Sequence, residues 1–214
     1  MGLINYSAEK EILVVARGHP FPKDALSDLF NALTDFRWSL VEQPAAECFF
    51  NPNSASDYSA FVCYDMPGVD FTVTDDPPGI VSPSDKFKRG LLAMLDKGMG
   101  MVFLHHALAA WPAWDEFAEI IGGRFLYRPS IVRERFWPDS GYRHDVIHNI
   151  TLSGKHPVTN GIPQEFELTD ELYLCPIFIT EITPILLSDY DFSCKNFYSA
   201  KLAVEGSMCA RDGW

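Results

Sequence analysis

Gly98-Met99-Gly100-Met101-Val102-Phe103-Leu104-His105-His106 sets the architecture of this chain. A glycine-punctuated apolar run ends in two histidines. Trp111 and Pro112 follow, then a helical pattern closed by Gly122-Gly123. The reading is strand, tight loop, helix. In an open α/β sheet, ligands bind at the loop leaving the C-terminal end of a strand. Two imidazoles there make proton transfer or metal binding available. Either ring alone could serve only to hydrogen-bond the loop backbone; the pair points to function.

Working outward, residues 11–16 (Glu-Ile-Leu-Val-Val-Ala) and 59–64 (Ser-Ala-Phe-Val-Cys-Tyr) are continuous apolar runs. Such runs suit strands buried on both faces. Residues 38–41 read as a further strand. Between the first two, Leu26, Leu29, Phe30 and Leu33 recur at helical spacing. Residues 65–82 hold Pro67, Gly68, Pro77, Pro78 and Gly79 and are expected to form an exposed loop, long enough for a lid. Ser82-Pro83-Ser84-Asp85 reads as a helix start with Ser82 as the cap. Pro112 is expected to open the helix after the His pair, with Phe117, Ile120 and Ile121 inward.

The second half changes character. Val146, His148, Ile150 and Leu152 alternate, which predicts a strand with one wetter face. Residues 184–187 and 197–204 are further strand candidates. No repeat and no linker is visible. The expectation is one α/β domain over 1–214, with a mostly parallel sheet first and an irregular β-rich part after it.

Composition narrows the function classes. The 214 residues are 47% hydrophobic and 21% charged, so a full core can form and disorder is not expected. The net charge of −12 argues against a nucleic-acid or anionic-membrane partner, because either needs a basic face. No apolar run reaches the length of a membrane span, and residues 1–10 lack a signal-peptide pattern. Five cysteines without a CxxC spacing read as free thiols in a reducing compartment, hence a cytoplasmic protein. A redox sensor built on Cys63 or Cys175 lacks a spaced partner.

Further candidates lie around the pair. His19, in Arg17-Gly18-His19-Pro20, follows the first strand and can share an edge with His105 and His106. His156 opens a turn-rich stretch, 156–163, and serves either to fix a turn or to bind substrate. In Asp170-Glu171-Leu172-Tyr173, adjacent acids point different ways, so one carboxylate enters a site as base, metal ligand or orienting partner. Trp111, beside the His loop, offers a flat face for a sugar ring. GxGxxG after the first strand, GxxxxGK[ST], HExxH and GxSxG are all absent, so dinucleotide, phosphate-loop, zincin and serine-elbow chemistries lack their residues. His105-His106 stands where an elbow would carry its nucleophile. That favours acid/base or metal-assisted chemistry over a covalent acyl enzyme.

Leu104-His105-His106, Trp111, Ile121-Gly122-Gly123, His156-Pro157-Val158-Thr159-Asn160-Gly161 and Asp170-Glu171-Leu172-Tyr173, in that order, resemble the trehalose-utilisation (ThuA-like) family. The resemblance is strongest over 98–173. It implies a class I glutamine amidotransferase-like fold, that is, a flavodoxin-like, doubly wound, mostly parallel sheet with helices on both faces. The amidotransferase cysteine is replaced by histidine, so glutaminase activity is not implied. The resemblance implies sugar catabolism on trehalose-like or keto-sugar substrates. It implies His105, His106 and Glu171 as catalytic residues. Members normally continue with another strand and helix, so the chain is expected to be a truncated or shortened member. Apolar surface left exposed that way would favour a homodimer.

The expected protein is therefore a carbohydrate-processing enzyme acting on a small carbohydrate. His105 and His106 serve as acid/base groups, and Trp111, Tyr173 and His156 contact substrate. Alternatively, His19 and His106 hold a divalent metal such as zinc, with Glu171 completing its shell or orienting an imidazole. The rival is a non-catalytic sugar-binding or regulatory module on the same fold.

Overall fold

The computed structural model describes residues 8–73 and 78–204. By contact the chain divides into two compact units. One takes the chain up to Asp70 together with Gly79–Trp114; the other takes Phe71–Pro78 and the chain from Asp115.

The first unit runs β1 (Lys10–Arg17), α1 (Lys23–Asn31), β2 (Phe36–Glu42), β3 (Ala60–Asp65), the short strands β4 (Val69–Asp70) and β5 (Gly79–Ile80), α2 (Asp85–Asp96) and β6 (Gly100–Phe103). Its sheet has the order β2-β1-β3-β6 and every pairing is parallel. Every residue from Ile12 to Ala16 is buried, as a continuous apolar run requires when both faces are covered. On one face Ile12, Val14, Ala16 and Val62 pack with Leu26 and Phe30 of α1. Phe61 meets Phe50 at 5.4 Å, and Phe50 meets Phe87 of α2 at 4.7 Å. Alternation along β1 and β3 turns Leu13, Val15 and Phe61 away from the α1 cluster. A Cβ on Gly90 would lie 1.8 Å from the Phe50 carbonyl oxygen, so α2 approaches that backbone more closely than any other residue permits.

Local rules moved several boundaries. Of the four residues at helical spacing, Leu26 and Phe30 are buried and Leu29 is exposed; Leu33, also exposed, lies beyond the end of α1 at Asn31. The cap of α2 is Ser84, two residues later than the expected Ser82; its Oγ accepts the Phe87 N–H at 3.1 Å. Residues 65–82 are not all loop: β4 and β5 pair antiparallel within them. Part of the expected lid, 74–77, lies outside the described residues.

The second unit runs α3 (Asp115–Ile121), the hairpin β7 (Ser130–Val132) and β8 (Arg135–Trp137), β9 (Gly141–Leu152), β10 (Glu165–Leu174), β11 (Leu186–Ser188), β12 (Tyr198–Ser199) and α4 (Ala200–Val204). The sheet β10-β9-β11 is antiparallel, and β12 also pairs with β9. Ala118, Leu126, Val132 and Phe178 form a core cluster against which Trp137 packs. The helix expected from Pro112 begins only at Asp115; the Trp114 N–H closes a turn on the Trp111 carbonyl at 2.9 Å instead. Of its expected inward residues Phe117 is buried, while Ile120 and Ile121 are half-buried. The strand expected over 184–187 is Leu186–Ser188. Residues 197–204 give two strand residues and then α4, because the Ser199 hydroxyl accepts the Leu202 N–H at 3.2 Å and starts a helix. No helix among the described residues is long and apolar enough to cross a membrane.

Candidate functional site

The C-terminal ends of the parallel strands gather the candidate chemistry of the first unit. After β6 the backbone turns through His105 at φ +30° into a short 3-10 helix, His105–Ala109. A positive φ on a residue that carries a Cβ, such as histidine, is strained, and such strain persists where the surroundings over-determine it. The strand–turn–helix course is that of a nucleophile elbow, with histidine in place of a serine or cysteine.

His106 is 4% exposed. Its ring stacks on Tyr64 with centroids 4.6 Å apart and planes 25° from parallel. The His19 ring lies 4.3 Å from it and the His105 ring 5.1 Å. The structure thus brings His19 and His105 to His106, as the sequence led one to expect, with Tyr64, which sequence reasoning had left as a strand residue, stacked on His106.

His19 is carried by an unusual turn. Arg17 has φ +97° and Gly18 φ +98°. A Cβ on Gly18 would fall 2.4 Å from the Met66 carbonyl oxygen, so glycine is required there. His19 Nδ1 sits 2.9 Å from the Pro20 carbonyl. A carbonyl only accepts, so Nδ1 donates, and in the neutral ring Nε2 presents its lone pair.

Beneath this turn lies a polar group that sequence reasoning missed. Gln43 Nε2 donates to Asp65 Oδ2 at 2.7 Å, and the Arg17 guanidinium donates to the Gln43 carbonyl at 3.0 Å. Gln43 is 7% and Asp65 5% exposed. Burial pushes the Asp65 carboxyl up to about 7, against the pull of the Gln43 hydrogen bond. A signal was present: Asp65 ends β3 and Gln43 directly follows β2, at the sheet edge where α/β folds bind ligands. Burial also raises the Cys63 thiol well above its ordinary range and pushes Cys175 up to about 12, which leaves both thiols protonated and argues further against a redox sensor.

Trp111, expected as a sugar platform, is 6% exposed, with its ring 5.2 Å from Phe87 and Gly68 packed against it. It is core within its own unit.

In the second unit, Glu171 sits at a register break: His144 and Asp145 of β9 together oppose it, and Asp145 has φ +55°. This is a β-bulge, which re-aims side chains. It sets His144 Nδ1 3.6 Å from Glu171 Oε1. Asp170 Oδ1 accepts the Glu171 N–H at 2.8 Å. Tyr173 packs on Phe125 at 4.6 Å. His156 caps the 3-10 turn Pro157–Thr159, its Nδ1 accepting the Val158 N–H at 3.2 Å, so it holds the turn.

Three comparisons bear on identity. The ThuA family profile, described as trehalose utilisation, matches residues 22–195. The solved structures include a protein of Parabacteroides merdae ATCC 43184, described as thua-like, with a TM-score of 0.59 at 16% identity. That match covers 94% of this chain and 72% of the other. Functionally curated proteins gave no match.

Proposed function

The chain belongs to the trehalose-utilisation (ThuA) family, and on that footing we propose that it is a cytoplasmic sugar-catabolism enzyme. Its substrate is a trehalose-like or keto sugar, and its chemistry is imidazole acid/base chemistry at the C-terminal edge of the parallel sheet. A doubly wound, amidotransferase-like arrangement of that sheet is part of the same reading. The observation that supports it most is the packing of His19, His105 and Tyr64 around His106 at the strand ends. His106 exchanges the proton: its ring is fixed by stacking, which holds one geometry toward a sugar hydroxyl or carbonyl. His105 shapes the elbow that presents it. Glu171 enters as the carboxylate partner on the strength of the motif order in the sequence.

The donor set also fits a divalent metal. His19 and His106 would hold it, and the Pro20 carbonyl on His19 Nδ1 is the kind of outer contact that metal-binding imidazoles use. A bound zinc or similar ion would polarise a sugar oxygen or activate a water.

The test compares the wild type with His106→Ala. Each is incubated with trehalose and with its 3-keto derivative, and product sugars are followed by chromatography. Elemental analysis is run on both proteins. Turnover should fall on the order of 10²–10⁴-fold with folding intact. Unchanged turnover overturns the reading. Sugar binding without turnover, indifferent to His106→Gln, establishes the binding-module alternative instead.

A further inference from the structure

Trp111 is core, so a sugar site in this protein needs another aromatic floor, and the second unit holds one. Tyr173 of β10 and Tyr198 of β12 both pair in register with Tyr142 of β9, one from each side. Residues directly opposite across strands point to the same face. The three phenols therefore form a row across three strands. The Tyr142 and Tyr198 ring centroids are 5.7 Å apart. All three residues are half-buried, whereas Phe125, on which Tyr173 packs at 4.6 Å, is buried. The row is anchored on the core at Tyr173 and keeps surface open at all three positions.

Polar groups border it. The His144 ring meets Tyr142 edge-on at 5.3 Å, and His144 Nδ1 is 3.6 Å from Glu171 Oε1. That separation is too long for a hydrogen bond between the two. A hydroxyl about 2.8 Å from each closes a triangle on it, accepting from the imidazole N–H and donating to the carboxylate. The hydroxyls of Tyr142 and Tyr198 have no hydrogen-bond partner among the described residues. Burial, with the charge of Glu171 and the neighbouring Tyr198, raises the Tyr142 phenol, so it keeps its proton and can donate. The Arg143 guanidinium lies over the Tyr198 ring at 4.8 Å, a cation–π contact that steadies that ring.

The set mixes aromatic faces, O–H donors, an imidazole and one carboxylate. A neutral polyhydroxylated ring matches it. Its C–H face lies on a phenol ring, and its hydroxyls donate and accept in turn. A sugar anion would meet Glu171 in a chain of net charge −12. A purely apolar ligand would strand the phenols and the carboxylate without partners.

We propose that the Tyr173–Tyr142–Tyr198 row is a sugar-binding face of the second unit, which takes a neutral pyranose ring on Tyr142 and holds one of its hydroxyls between His144 and Glu171. This deepens the proposed function and rests on its sugar substrate, but it concerns binding and not turnover.

The experiment titrates the full chain, ¹³C-labelled at its tyrosine rings, with trehalose and with its 3-keto derivative, and is read by NMR. The chain has eight tyrosines. The signals of Tyr142, Tyr173 and Tyr198, assigned by single Tyr→Phe variants, should shift together, while that of Tyr58 in the first unit stays. Tyr142→Ala should weaken binding on the order of tenfold or more. Tyr142→Phe, which keeps the ring and loses only the hydroxyl, should weaken it by about 2–10-fold. Circular dichroism and the Tyr58 signal report that each variant is folded. Trehalose 6-phosphate should bind about tenfold more weakly than trehalose. No shift at the three tyrosines with either neutral sugar, affinity indifferent to Tyr142→Ala, or tighter binding of the phosphate overturns the proposal. The proposed function fails separately. Turnover unchanged by His106→Ala would sink that reading and leave the tyrosine shifts standing; His106-dependent turnover with KM unmoved by Tyr142→Ala would sink the tyrosine face alone.

Discussion

The parallel sheet of the first unit and the antiparallel sheet of the second are built from opposite kinds of strand. β1 is buried at every position from Ile12 to Ala16. β9 buries Val146, His148 and Ile150 and exposes Asp145, Ile147 and Asn149. A strand covered on both faces has no room for polar side chains along its length, so its chemistry is displaced to its ends. Arg17, Gln43, Asp65 and the His105–His106 pair all lie just at or beyond strand ends. A strand with one wet face can carry polar groups at mid-length, and there a bulge is needed to aim them. Glu171, opposed by both His144 and Asp145, is the case in point. The two units teach two ways of placing a polar group: by terminating a strand, or by breaking its register.

The largest expected effect tests how tightly the first unit is closed. Gly90→Val should destabilise it by about 3 kcal/mol or more, because the Phe50 carbonyl is backbone and cannot step aside. Urea unfolding with hydrogen exchange at the β1 amides measures this. A loss below about 1 kcal/mol would mean that α2 sits more loosely than its packing against Phe50 indicates.

A second experiment sharpens the contrast through pH. The Asp65 carboxyl is raised from 3.8 to about 7, so the folded state holds its proton more tightly than the unfolded one. The stability it lends is complete below about 4 and is lost as pH rises through about 7. Asp65→Asn removes that loss. Measured against wild type, the variant should gain on the order of 2 kcal/mol or more on going from about pH 4 to pH 8, read from urea midpoints. A parallel pH profile for the two proteins would place Asp65 in water.

The smallest effect belongs to the second unit. Arg133 lies over the Phe178 ring at 3.8 Å and pairs with Glu119, and with Glu181 at 3.5 Å. Arg133→Ala should cost only about 1 kcal/mol, since these partners are partly solvated. The loss should shrink with added salt. A salt-independent loss would mean that stacking on Phe178, not charge, holds the β7–β8 hairpin.

Much of this was legible in the residues. Continuous apolar runs gave β1 and β3, and the glycine-punctuated run into His105-His106 gave β6 and its loop. His19 was legible because a loop after an inner strand opens on the same edge. What escaped was set by contacts distant in sequence. Trp111 has the composition of a sugar platform, but the approach of Gly68 and Phe87 makes it core. His156 has the look of a site residue, yet its ring nitrogen is taken by the Val158 N–H two residues on. His148 fell in the inward row by alternation alone; only the fold supplies Ser188, 40 residues away, whose hydroxyl meets its Nδ1 at 2.7 Å.

By itself the sequence determined the α/β class, the family and the loop that carries two imidazoles, because period, turn residues and motif order are local properties of the chain. Only the tertiary structure decided which polar groups are buried. Gln43 and Asp65 are ordinary strand-end residues until three strands fold against one another. Burial then raises the Asp65 carboxyl, a property that no local pattern of residues carries.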